Sequence, residues 1–197
     1  MTTADKIAAG QVNVPELAPG AIAAGARIDA LDLEPIVFKM MSPHPGVTGL
    51  SLAEADQRIA GYRCFLKLCA WYPGEPIVPA TDIDDAWHAH ILDTGKYAAD
   101  CQVVFGAFMG HFPYLGLRGE ADVLAWNAAY ARTRELFRRH FGAGLPAGAA
   151  AGACGNGGGS TCQVGGSICS SAVPCDRSMT DTADLVRPRP DRSLITA

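Results

Sequence analysis

Apolar residues recur at steps of three and four from Leu52 to Cys69. Leu52, Ala55, Ile59, Tyr62, Leu66 and Cys69 fall on one stripe. That period predicts an amphipathic helix with one buried face. Ser51 and Glu54 supply the S-x-x-E pattern of a capping box at its start, and Pro73-Gly74 ends it. Upstream, LDLEPIVFKMM, beginning at Leu31, predicts a shorter helix, with Pro35 placed in its first turn. Downstream, EPIVPA is an extended link, because residues before proline avoid helical angles.

Thr81 or Asp82 can cap a third helix running to about Leu92, and Asp93, Thr94 and Gly95 stop it and start a fourth. The fourth carries Tyr97, Cys101 and Val104. HFPYLGLRG then predicts a loop. A last helix from about Glu120 to Phe141 places Val123, Trp126, Tyr130, Phe137 and Phe141 on one face. Gly142 follows at the position that favours a left-handed cap.

Periodicity fades at both ends. Residues 1–30 are rich in Ala, Gly and Pro and predict a flexible or loosely docked arm. After Gly142 small residues dominate. The expected organisation is an irregular arm over 1–30, a helical domain over 31–141 and a Gly/Cys-rich tail over 142–197. The expected fold class is all-α, a bundle of about five helices.

Charge narrows the function. The net charge is −4 and the pI about 5.7, and no arginine or lysine stripe interleaves with aromatics, so nucleic-acid binding has no support. No apolar run approaches the roughly 20 residues that span a bilayer. The N-terminal stretch lacks the basic and apolar blocks of a secretion signal, so the expected location is cytoplasmic. Thiols stay reduced there, and cysteines serve as ligands, reactive groups or core residues.

Candidate chemistry concentrates in DIDDAWHAHILDTGKYAADC, from Asp82 to Cys101, and in His111 beyond it. Asp84 and His88 are four apart and share a helix face. His88 and His90 are two apart and point to nearly opposite sides of a regular helix. The proposed ligand set is therefore Asp84, His88 and His111, with Cys101 or water completing it. His90, Asp85, Tyr97 and Asp100 stand as alternative ligands or as groups that orient the ligands. These donors suit a divalent transition metal, zinc first and iron or copper next. An open coordination position would support metal-activated water or oxygen chemistry. The competing expectation is a buried hydrogen-bond network with no metal. His44, between two prolines, and His140, beside Arg138 and Arg139 at a helix end, are not expected to be ligands. Cys64 and Cys69 are expected in the core.

Asp84, Trp87, His88, His90, Tyr97, Asp100, Cys101, Gly106, His111 and Pro113 follow a recurring order: aspartate, Trp-His-x-His, tyrosine, an acidic-Cys pair, glycine and His-x-Pro. In this order, over about residues 31–141, the chain resembles the glycine-rich domain-containing proteins of plants and bacteria. The resemblance implies a shared helical module and a site built from the His/Asp/Cys set. It supplies no substrate.

The tail holds Cys154, Cys162, Cys169 and Cys175, with no C-x-x-C pair and hence no zinc-ribbon pattern. It can supply thiolates to a metal, form disulfides or remain a low-complexity extension. The functional expectation is a metal-binding helical protein, as an enzyme acting on a small molecule or peptide. The alternative is an interaction module whose tail docks a partner, or a tether in a peptide-modifying pathway.

Overall fold

The computed structural model describes residues 17–43, 48–142 and 186–193, and the backbone of 159–164. Among these residues six helices form: α1 (Pro19–Asp29), α2 (Glu34–Met41), α3 (Leu52–Trp71), α4 (Thr81–Leu92), α5 (Thr94–Phe105) and α6 (Glu120–Phe141). The fold class is all-α, as the periodicity indicates. One antiparallel ribbon is added to it, β1 (Met109–Leu115) paired with β2 (Gly159–Val164).

The central element is α3. Its capping box forms as the sequence predicts: the Glu54 amide donates to Ser51 Oγ, and the Ser51 amide donates to the Glu54 carboxylate at 2.9 Å. Ala55, Ile59, Tyr62, Leu66 and Cys69 are buried, joined by Phe65 and Leu68, so helices cover a wider arc than the predicted stripe. Gly61 lets α4 approach: a Cβ there would lie 3.0 Å from Ile83 Cγ1. The largest fully buried side chain is Trp87 of α4, whose ring centroid lies 5.1 Å from that of Phe65.

Several expectations need correction. Part of the N-terminal arm is the helix α1. Ile28 is fully buried, Trp71 Nε1 donates to the Ala21 carbonyl at 2.8 Å, and Arg63 caps the helix end by donating to the Ile28 and Leu31 carbonyls. The arm's composition hid this, because small residues such as Ala24 and Gly25 give little hydrophobic contrast yet pack closely. At the start of α4 the N-cap is Ala80, with no side-chain cap; neither Thr81 nor Asp82 fills that role. The long helix α6 buries Ala129, Thr133, Leu136 and Phe137, whereas Val123 is 38% exposed and Trp126, Tyr130 and Phe141 are half-buried. A small residue and a hydroxyl allow closer approach here: Thr133 Oγ1 accepts from the Val78 amide at 2.9 Å and donates to the Ala129 carbonyl at 3.0 Å.

The C-terminal segment 186–193 is also docked. Arg187 pairs with Asp93, Arg189 with Asp32, and Arg192 with both Glu34 and Asp56. Periodicity carries no trace of this clamp, because it is made by charges on an extended strap and not by a repeating apolar face.

Candidate metal centre

Three side chains from two elements converge on one point. On α4, Asp84 and His88 are one turn apart, so their side chains stack along one face. The third residue, His111, comes from β1, in a segment expected to be a loop. Gly106, with φ 70°, ends α5 in the left-handed region and turns the chain back. A hydroxyl then fixes the strand: Tyr97 donates to the Met109 carbonyl at 2.7 Å and accepts from Trp87 Nε1 at 2.9 Å. The His111 ring packs on Trp87, edge to face, with centroids 4.7 Å apart.

This brings His88 Nε2 to 2.8 Å from His111 Nε2. Asp84 Oδ1 lies 3.8 Å from His88 Nε2 and 4.0 Å from His111 Nε2. One donor atom from each of the three residues fits within a 4.8 Å span. Bonds of about 2.05 Å at a tetrahedral angle would set donors about 3.3 Å apart, and a right angle about 2.9 Å. The observed sides straddle these values, so side-chain rotations of a few tenths of an ångström would seat one ion.

Burial suits such a site. The side chain of Asp84 is 3% exposed, His111 15% and His88 35%, so the centre is enclosed on the carboxylate side and open at His88. Burial, and secondarily the neighbouring His88, push the His111 imidazole down to about 4. A neutral imidazole at pH 7 keeps a lone pair for a metal. The two imidazoles can also share a single proton between their Nε2 atoms, which is the metal-free form of the same contact.

The remaining predicted residues lie elsewhere. His90 is 1% exposed and points away from His88, as helical geometry requires. Its Nδ1 lies 3.0 Å from the Tyr62 hydroxyl, and its Nε2 3.1 Å from Asp100 Oδ2, close but poorly aligned for a hydrogen bond. Burial lowers the His90 pKa, partly offset by Asp100. Burial raises that of Asp100, but the close contact of His90 and the hydrogen bond from Lys96 outweigh it and the net shift is downward. The result is a second buried network of neutral imidazole and ionised carboxylate, separate from the candidate centre. His90 and Asp100 are therefore not alternative ligands in this arrangement.

Cys101 needs the same correction. It is buried beside the Tyr97 hydroxyl and the Met109 backbone, and burial pushes its thiol pKa up, which favours the protonated form. It does not join Asp84, His88 and His111 in the cluster. Asp85, on the exposed side of α4, pairs with Arg58 at 2.6 Å. Tyr97 is a strut that positions β1. Sequence reasoning saw its spacing but not its partner, because the Met109 carbonyl becomes an acceptor only once the strand forms.

His44, Cys154, Cys169 and Cys175 lie outside the described residues. The backbone of Cys162 lies in β2, in register opposite His111. Cys64 is half-buried and Cys69 is buried in the core, as expected. His140 is not the free helix-end cation its position suggested: its Nε2 meets the Tyr72 hydroxyl at 2.6 Å, its ring packs on Trp71, and burial, then Arg139, lowers its pKa. No helix among the described residues is long and apolar enough to cross a membrane. No family model, curated protein or solved structure matches the chain.

Proposed function

We propose that this protein binds one divalent transition metal at Asp84, His88 and His111, and that the centre serves reactions of a small molecule or peptide. The observation that carries the proposal is the convergence of two imidazole nitrogens and a carboxylate oxygen, from a helix and a strand, within 4.8 Å. Two histidines and one carboxylate suit zinc or iron(II) and leave coordination positions open. A metal held there would act as a Lewis acid and lower the pKa of bound water. The chain itself would hold Asp84 away from water, keep His111 neutral and admit ligands on the side of His88, the most exposed of the three.

Metal analysis of untagged protein tests this. About one metal per chain is expected, lost in His88→Ala and in His111→Ala; less than about 0.1 per chain, unchanged by either substitution, would refute the proposal. The 2.8 Å contact between the histidines favours one alternative, a structural hydrogen bond between α4 and β1. In that case the same substitutions lower stability with no metal to lose. The register opposite His111 makes Cys162 the natural test of tail participation. Cobalt(II)-loaded protein would show a near-ultraviolet thiolate-to-cobalt band that Cys162→Ser abolishes if the tail contributes. Its absence in the unsubstituted protein would place the tail outside the centre.

A further inference from the structure

His88 also borders a cleft of about 430 Å³, a size within the range of small-molecule sites. Met40, Leu50, Ala89 and Leu92 give it an apolar lining. Three further charged side chains reach it. Arg58 and Asp85 bind each other at 2.6 Å and largely cancel. The third is Lys39, on the last turn of α2, which has no ion pair among the described residues. The cleft thus combines an apolar body, one cation with no ion pair among the described residues and the most exposed histidine of the candidate metal centre.

We propose that this cleft binds a small monocarboxylate with a short apolar body, its carboxylate on Lys39 and its chain over Met40, Leu50 and Leu92. A cation on the cleft wall favours an anionic head, and the apolar lining favours a hydrocarbon tail over a compact polyanion. A ligand bound here shares the cleft with His88. The proposal therefore deepens the metal-centre reading by naming its substrate class, and it depends on that reading only for catalysis, not for binding.

A second cleft, of about 480 Å³, shares Lys39, Ala89 and Leu92 but is bounded on its far side by Asp93, Arg187 and Pro188 of the clamp. Thr48 is exposed and lines the cleft beside His88 but not the second one, so Thr48→Glu adds a repelling charge that distinguishes the two. Calorimetric titration of the full chain, metal-free and zinc-loaded, is the test. The probes are octanoate, N-acetyl-leucine, octanol and octylamine. Saturable carboxylate binding is expected, weakened at least about fivefold by Lys39→Ala and by Thr48→Glu, and retained by Lys39→Arg. Octanol and octylamine are expected to bind at least about fivefold more weakly than the better carboxylate. Whichever carboxylate binds more tightly identifies a fatty or an acyl-amino-acid type of ligand. Absence of carboxylate binding, octanol binding of equal strength, or smaller effects of either weakening variant would overturn the proposal. Carboxylate binding without zinc binding would leave the cleft standing and remove the metal centre. Zinc binding without carboxylate binding would do the reverse.

Discussion

Replacing Tyr97 by phenylalanine removes one hydroxyl and strands two buried groups. The ring is 1% exposed, and its hydroxyl stands between Trp87 Nε1, at 2.9 Å, and the Met109 carbonyl, at 2.7 Å. Burial raises the phenol pKa far above its ordinary value, so the hydroxyl remains a donor at every working pH. Phenylalanine fills the same space, and the loss is therefore one of hydrogen bonding and not of packing. Each stranded group costs about 1–3 kcal/mol, and about 2–4 kcal/mol is expected for the pair. Urea unfolding monitored by circular dichroism measures it, with an unchanged m-value showing that the same surface is exposed. A second consequence separates positioning from general stability. The Met109 carbonyl lies two residues before His111, so loosening it should weaken zinc binding about tenfold at a temperature where the variant stays folded. A stability loss below about 0.5 kcal/mol would refute the view that this hydroxyl ties three elements together. Full destabilisation with unaltered zinc affinity would refute its role in placing His111.

Acid should destabilise the metal-free protein. Burial depresses the pKa values of His90, His111 and His140 below the ordinary 6.5. The unfolded chain therefore binds more protons on acidification. The stabilising contribution is complete above about pH 6.5 and is lost as the pH falls through the folded values, about 4 for His111. Urea midpoints of EDTA-treated protein should be lower at about pH 5 than at about pH 7.5, and a rise would reject the assignment. Gly49→Ala should cost about 1–3 kcal/mol by thermal unfolding, as overpacking does. Its Cβ would sit 1.9 Å from the Met41 carbonyl oxygen, which forces the backbone apart where Leu50 donates to Met40. Joint replacement of Arg187, Arg189 and Arg192 by alanine should release the C-terminal strap and speed its proteolysis. About 1 M salt should do the same to the unsubstituted protein, since exposed pairs are screened. Proteolysis rates unmoved by either change would show that the charges do not hold it.

What the sequence determined by itself was local. The capping box of α3, the buried stripe from Ala55 to Cys69, the left-handed glycine after α6 and the shared face of Asp84 and His88 all follow from spacing along one helix. Helical geometry alone also separated His90 from His88, because about 200° lies between positions two apart. The tertiary structure decided everything that needed a partner distant in sequence. It turned HFPYLGLRG into a strand, since a strand exists only where another backbone pairs with it. It made Tyr97 a strut and moved Cys101 out of the ligand set, because the direction of a buried side chain depends on which element covers it. It placed His111 at 2.8 Å from His88 across a sequence separation of 23. It also found helical packing in the Ala/Gly-rich arm and an ionic clamp in the C-terminal strap, where neither close contact between small residues nor charge pairing leaves a period to read.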